Sequence, residues 1–132
     1  MTSIFSRIIR GEIPCHRVAE NDQFLAFLDI TPVNTGHVLV VPKIEVDYIF
    51  DLEDKQLQDL ILFAKKVATG LRTAVPCKRI GVSVIGLEVP HAHIHLIPIR
   101  EMNDMNFMKD KPKPSSAELA ALATLIQGHI ML

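Results

Sequence analysis

Residues 91–99 have the sequence His-Ala-His-Ile-His-Leu-Ile-Pro-Ile, and this stretch decides the fold. Successive side chains of a strand point to opposite faces of a sheet. The histidines at alternate positions therefore share one face, while Ala92, Ile94 and Leu96 share the other. The apolar face indicates a strand that packs on a hydrophobic core, and the opposite face gathers three imidazoles in one place.

The segments on either side of this strand predict an α+β fold with a mostly antiparallel sheet. Apolar and β-branched runs bounded by turn residues predict strands at residues 15–20, 24–29, 37–42, 79–85 and 91–99. Apolar residues at helical spacing over 57–71 predict one long central helix. Shorter terminal helices are predicted near residues 4–9 and 116–127, the second after a Ser-x-x-Glu capping box.

The composition excludes several classes of protein. The chain has 132 residues, of which 48% are hydrophobic and 22% are charged, with a net charge of -1. This length and composition predict a single domain, with a core over about 4–99 and a C-terminal extension over 100–132. The balanced charge argues against nucleic-acid binding, the two separated cysteines argue against a disulfide scaffold, and no run reaches the ~18 apolar residues of a membrane span. We therefore expect a cytoplasmic protein that binds neither nucleic acid nor a membrane.

The clustered histidines support two kinds of chemistry. Crowded imidazoles repel as cations, so some of His91, His93 and His95 are expected to be neutral at pH 7. A neutral imidazole can attack phosphorus, and a protonated neighbour can stabilise the phosphoryl oxygens. The rival is a zinc site formed by His91 and His93 with His37, or by the three strand histidines, since ring nitrogens bind zinc at ~2.0–2.1 Å. The residues alone leave both possibilities open, and packed histidines without chemistry are a less favoured third.

Four blocks of the sequence resemble the histidine-triad (HIT) family, in particular its Hint-type branch. Residues 91–97 resemble the family's His-x-His-x-His-x-x signature, in which x is apolar. Residues 4–14, 24–30 and 36–43 are similar to three upstream blocks and occur in the same order. The resemblance implies a HIT-like α+β fold that forms a homodimer. We expect neither a cofactor nor a bound metal.

The resemblance also implies an activity. A family member of this kind is a purine nucleotide-binding hydrolase or transferase that cleaves a nucleoside phosphoramidate or dinucleoside polyphosphate at the α-phosphorus. The reaction passes through a nucleotidyl-histidine intermediate. By position, His93 is the implied nucleophile, His91 and His37 orient it, and His95 contacts the phosphate or leaving group. Asp29 is implied to hold the ribose hydroxyls, because a carboxylate accepts hydrogen bonds. The implied nucleotide-binding residues further comprise Ile4, Phe5, Ile8, Phe27, Ile30, Glu88 and Val89.

The stretch just before the histidines departs from the family pattern. Residues 83–90 are Ser-Val-Ile-Gly-Leu-Glu-Val-Pro, with a shorter glycine loop, no asparagine, and Leu87 where glutamine is common. This departure favours an alternative, a nucleotide-binding sensor or interaction protein with weak or no catalysis. A zinc hydrolase is a less favoured third. Ser3 and Ser6 occupy the positions where some bacterial members carry Cys-x-x-Cys, so no structural zinc is expected there.

The segment at 102–114 is predicted to be an irregular connection. Its lysines, Lys109, Lys111 and Lys113, lie among prolines and are interpreted as a solvated linker rather than a phosphate clamp. Its methionines could line a pocket, although methionine is also a common gap-filler in cores. The C-terminal region as a whole departs most from the family pattern, and we expect it to influence leaving-group specificity.

Overall fold

The computed structural model describes residues 2–132 and contains a five-stranded antiparallel sheet in the order β1-β2-β3-β5-β4. The strands are β1 Arg17–Glu20, β2 Phe24–Leu28, β3 Val38–Pro42, β4 Arg79–Ser83 and β5 Ile94–Ile99. The helices are α1 Ile4–Ile9, α2 Asp54–Ala74 and α3 Ser116–Gln127, with single 3₁₀ turns at Ile49–Asp51 and Met102–Met105. The predicted α+β fold with an antiparallel sheet and one long helix is confirmed.

Helix α2 covers one face of the sheet. A capping box starts it, in which the Glu53 N–H donates to Gln56 Oε1 at 3.0 Å. Its apolar stripe, including Leu60, Val67 and Leu71, is buried against the strand residues whose side chains point to the same face. Ala92, Ile94 and Leu96 belong to this core, as their alternation predicts. Burial of these side chains is the main stabilising contribution to the fold.

The opposite face of the sheet carries a smaller apolar cluster and the site. Phe5 of α1 packs there on Phe27 and Leu39. Leu39 is the direct cross-strand partner of His95, so His95 points to the same face as this cluster. Helix α1 therefore lies beside the histidines rather than against α2.

The prediction that the last strand begins at residue 91 is wrong, because β5 begins at Ile94. The backbone before Ile94 bonds outside the sheet ladder: the His91 N–H donates to Val89 O at 2.8 Å and the Ala92 N–H donates to Val46 O at 2.7 Å. Each of the other four strands is also shorter in the structure than predicted, by one or two residues at one end. The extension of β4 to residue 85 is wrong, since the strand ends at Ser83 opposite His95.

Helix α3 closes the domain over β1 and α2. Its capping box is formed by Ser115 and Glu118, with the Glu118 N–H donating to Ser115 Oγ at 3.1 Å. The buried face of α3 is formed by Leu119, Ala123 and Ile126. None of the helices within residues 2–132 combines the length and apolar character needed to cross a membrane.

Candidate active site

A cavity of about 490 Å³ opens on the face of the sheet that carries the histidines. His37, His93 and His95 form part of its wall. Helix α1 contributes Ile4 and Phe5, the loop after β4 contributes residues 85–89, and the segment before α3 contributes Phe107, Met108 and Lys111. Three parts of the chain that are distant in sequence thus enclose the imidazoles in a volume suited to a small molecule.

The proton of His93 is placed by a backbone carbonyl. Its Nδ1 lies 2.7 Å from His91 O, and a carbonyl only accepts, so Nδ1 carries the hydrogen and donates it. In the neutral ring Nε2 then holds the lone pair. Phe5 packs edge-on against this ring at a centroid distance of 4.9 Å, and His95 lies at 4.9 Å on another side. A ring fixed in this way presents one defined nucleophilic nitrogen.

His91 is fully buried and does not line the cavity. Its Nε2 donates to Pro42 O at 2.7 Å, and its Nδ1 lies 2.7 Å from Ser3 Oγ. Both ring nitrogens are therefore engaged. The zinc sets that include His91 require one of these contacts to break, and the structure does not favour them.

His37 and His95 form a second ordered pair. The Val33 N–H donates to His37 Nδ1 at 3.0 Å, so the proton of neutral His37 is on Nε2. That nitrogen lies 2.9 Å from His95 Nδ1 and donates to it. His95 must then carry its own proton on Nε2. The pair supplies a hydrogen-bond donor to the cavity while both rings stay neutral.

Burial keeps this pair uncharged. Burial, followed by the charges of Lys111 and His93, lowers the pKa of His37 to about 4. Burial, followed by His37 and His93, likewise lowers the pKa of His95 to about 4, against an opposing effect of Asp29. Both imidazoles are neutral at pH 7, so neither supplies the protonated neighbour that the sequence suggested.

Asp29 lies at the edge of the cavity in a turn. Its Oδ1 accepts from the Thr31 N–H at 2.9 Å and from Thr31 Oγ1 at 3.1 Å. Its Oδ2 lies 3.8 Å from His37 Nε2. Oδ1 therefore stabilises the turn, and Oδ2 can accept a hydrogen bond from a ligand.

The residues expected to bind the nucleotide separate into two groups. Ile4, Phe5, Asp29, Glu88 and Val89 line the cavity, whereas Phe27, Ile8 and Ile30 do not. Phe27 lies beneath Phe5 at a ring distance of 5.6 Å, Ile8 faces a different cavity below α3, and the Ile30 side chain is 68% exposed. Of the apolar residues that α1 and β2 were expected to contribute, Ile4 and Phe5 of α1 reach the cavity, and Phe27 of β2 supports Phe5 from below.

The segment before α3 contributes residues that were not predicted. Phe107 packs edge-on against His95 at 5.1 Å and against His37 at 6.1 Å. Lys109 donates to Asn34 Oδ1 at 2.5 Å, which fixes the segment to the loop before β3. Lys111 is exposed but lines the cavity, and it is the one Lys or Arg among the described lining residues. The solvated-linker interpretation is wrong for Lys109, because its contacts with Asn34, which is distant in sequence, and with Asp104 hold the segment in place. Lys111 is solvent-exposed, as that interpretation expects, but it also lines the cavity.

Asp29, His37 and His95 also meet the geometric requirement for a metal site. Within the described chain they form the single group of three such residues whose ligand atoms all lie within 4.8 Å of one another. A metal would replace the hydrogen bond between the two imidazoles. It would be held by two nitrogens and a carboxylate oxygen, a donor set that suits zinc.

Fold and site together define a class of proteins in which histidines on, and just before, the strands of an antiparallel sheet line a ligand cavity. The chain belongs to the HIT family: the HIT domain model matches residues 10–102, which include all four histidines of the site.

Similar proteins support this assignment. The adenosine 5'-monophosphoramidase hnt1 of Schizosaccharomyces pombe is 38% identical over 100 residues, which span 74% of each chain. An uncharacterized HIT-like protein of Borreliella burgdorferi is 31% identical over 132 residues, spanning 89% of this chain and 95% of that one. The crystal structure of a Hit-like protein involved in cell-cycle regulation from Bartonella henselae, solved with an unknown ligand, superposes with a TM-score of 0.85 at 30% identity, covering 98% and 96% of the two chains.

Proposed function

We propose that this protein is a nucleotide hydrolase or transferase that cleaves a purine nucleoside phosphoramidate or dinucleoside polyphosphate at the α-phosphorus, with His93 as nucleophile. The observation that carries the proposal is the 2.7 Å contact of His93 Nδ1 with His91 O, which leaves the lone pair on Nε2. Similarity to the S. pombe adenosine 5'-monophosphoramidase supports the substrate class.

The proposed reaction has two steps. His93 Nε2 attacks the α-phosphorus, the bond from phosphorus to the leaving amine or phosphate breaks, and a nucleotidyl-histidine forms. A leaving amine takes up a proton from solvent as it departs, whereas a leaving phosphate departs as the anion. The ring becomes positive as it forms this bond, and donation from Nδ1 to His91 O stabilises the charge. Water then attacks phosphorus, the phosphorus–nitrogen bond to His93 breaks, and a nucleoside monophosphate leaves while a proton passes to solvent.

The neighbouring groups have separate proposed roles. His95 donates a hydrogen bond from Nε2 to a phosphoryl oxygen, a role suited to a ring whose Nδ1 accepts from His37 and whose proton is therefore on Nε2. Asp29 Oδ2 accepts from the ribose hydroxyls, and Ile4 and Phe5 contact the base. Lys111 supplies positive charge that the neutral imidazoles do not provide.

The test is a substrate panel assayed with matched variants. Adenosine and guanosine phosphoramidates and dinucleoside polyphosphates are incubated with wild type, His93→Ala and His129→Ala. His129 is exposed near the C-terminus and controls for loss of a histidine as such. We expect His93→Ala to lose turnover by at least about 10³-fold while still binding nucleotide, and His129→Ala to match wild type. Comparable turnover by His93→Ala would exclude His93 as the nucleophile.

A nucleotide sensor without turnover is the second candidate. The loop after β4 favours this candidate. Leu87 is 88% exposed, and the Glu88 carboxylate lines the cavity in which we propose that phosphate binds, where it would repel the anion. Calorimetric binding of AMP without hydrolysis of any substrate in the panel would support this candidate. A zinc hydrolase at Asp29, His37 and His95 is the third, and it requires stoichiometric zinc whose chelation abolishes activity.

We also propose a homodimer formed through β4 and α2. Strand β4 is an edge of the sheet, and Val82 on it is 60% exposed. Ile61 and Leu62 of α2 are also exposed, and α2 packs on β4. Exposed apolar residues along an unpaired edge suit pairing with a second copy. Sedimentation velocity should give a dimer for wild type and a monomer for Val82→Lys, and a wild-type monomer at micromolar concentration would contradict the proposal.

A further inference from the structure

Helix α1 is tied to the loop after β3 through a single carboxylate. Glu45 Oε1 accepts from the Ser3 N–H at 2.7 Å and from Ser6 Oγ at 2.7 Å. Ser3 Oγ in turn accepts from the Ser6 N–H at 3.0 Å, which caps the helix. Ser3 Oγ also lies 2.7 Å from the buried His91 Nδ1. Ser6 Oγ lies further away, at 3.3 Å from Ser3 Oγ and 3.4 Å from His91 Nδ1. A surface carboxylate is thereby connected to a fully buried imidazole.

The donors and acceptors of the cluster have one consistent arrangement. Pro42 O only accepts, so neutral His91 carries its proton on Nε2 and has a lone pair on Nδ1. The Ser3 hydroxyl must then donate to Nδ1. The Ser6 hydroxyl donates to Glu45 rather than to His91, because its distances to them are 2.7 Å and 3.4 Å. The Ser3 hydroxyl proton thus goes to His91, while Glu45 accepts from the Ser6 hydroxyl and from the Ser3 N–H.

This cluster lies directly behind the proposed nucleophile. The His91 residue that Ser3 holds through its ring also accepts the His93 Nδ1–H through its carbonyl. Phe5, which lies between the two serines in α1, packs against both rings at 5.8 Å and 4.9 Å. Movement at the start of α1 would therefore disturb His93 on two sides, through the carbonyl that holds its proton and through the aromatic ring on its face.

We infer that Glu45, acting through Ser3 and Ser6, is a positioning residue that holds α1 and His91 in the arrangement His93 needs to attack phosphorus. The inference rests on the proposed function and deepens it. Glu45 does not line the cavity, so it touches no substrate. What it contributes is an acceptor oxygen at one fixed point, where misplacement of the nucleophile by a fraction of an ångström would slow the reaction.

The test compares Glu45→Ala, Glu45→Gln and Ser3→Ala with Asp47→Ala as the matched control. Asp47 is an exposed carboxylate on the same loop. We expect Glu45→Ala and Ser3→Ala to lower kcat for an adenosine phosphoramidate about tenfold. Tm should be little changed in Glu45→Ala and lowered in Ser3→Ala, which also removes the helix cap. Glu45→Gln keeps an acceptor oxygen and should restore most of the rate, while Asp47→Ala should match wild type.

Nitrogen-15 NMR of the histidines gives a second readout that does not depend on turnover. In wild type the His91 ring should show a protonated Nε2 and a hydrogen-bonded Nδ1, and the Nδ1 resonance should move in Ser3→Ala and Glu45→Ala. Wild-type kcat in Glu45→Ala would overturn the inference, as would no rescue by Glu45→Gln or an unmoved Nδ1 resonance. If wild type hydrolysed no nucleotide, the proposed function would fail while the NMR result still decided whether the cluster orders His91.

Discussion

Acid should destabilise this protein through the buried pair His37 and His95. The pKa of each falls from 6.5 to about 4 in the folded protein, because burial penalises the charged ring. The unfolded chain therefore binds protons more readily than the folded one. Stability from this source is complete above pH 6.5 and is lost as the pH falls towards 4.

The magnitude follows from the two pKa values. One pKa unit corresponds to ~1.4 kcal/mol, so each ring contributes a loss of about 2 kcal/mol between pH 7 and pH 5. The rings share a hydrogen bond, which makes about 4 kcal/mol an upper bound for the pair. Carboxylates such as Glu45 have lowered pKa values, and their contribution is lost only below about pH 4.5. The interval from pH 7 to 5 thus isolates the histidines, to which His91 adds in the same direction.

Urea unfolding at pH 7 and pH 5 measures this difference directly. We expect the free energy of unfolding of wild type to fall by at least about 2 kcal/mol, and the double variant His37→Gln/His95→Gln to lose most of that dependence. His129→Gln, at an exposed position, should keep the wild-type dependence. Equal stability of wild type at both pH values, or an unchanged dependence in the double variant, would refute the reasoning.

Three further substitutions test other parts of the structure. Lys111→Ala should weaken AMP binding about tenfold without affecting adenosine, whereas Lys113→Ala, which lies outside the cavity, should leave both unchanged by calorimetry. Gly70→Ala, although in a helix, should destabilise by about 1–3 kcal/mol in urea unfolding, because its Cβ would lie 2.5 Å from His129 O. Leu60→Ala should lower the free energy of unfolding by about 2–5 kcal/mol in the same assay, since this side chain is fully buried on the inner face of α2.

The sequence predicted the elements that have local signals. Alternation in residues 91–99 identified which side chains share a face, because the pattern depends only on the extended backbone. The start of β5 could not be found in this way. Residues 91–93 precede the strand without joining its ladder: His91 lies at a bend and donates its N–H to Val89 O, and the Ala92 N–H donates to Val46 O. Side-chain alternation alone does not show whether a residue takes part in a ladder.

The site was predictable where residues are close in sequence and less so where the fold brings them together. The family resemblance led to Asp29 and to three histidines that do line the cavity. Of the other implied residues, Ile30 faces outward and Ile8 lines a different cavity. Phe107 and Lys111 reach the cavity because Lys109 bonds to Asn34, 75 residues away. Glu45 has no sequence signal either, since its partners are serines 39 and 42 residues away. Such contacts depend on tertiary packing, which no local pattern encodes.

The most direct test of the proposed nucleophile is mass spectrometry of the protein quenched during turnover. Wild type mixed with an adenosine phosphoramidate and denatured at alkaline pH, where a phosphorus–nitrogen bond to histidine survives, should gain the mass of AMP less one water. Peptide mapping should place that mass on His93. An adduct on another residue, or rapid hydrolysis with no adduct under conditions that trap it, would contradict the proposed covalent mechanism.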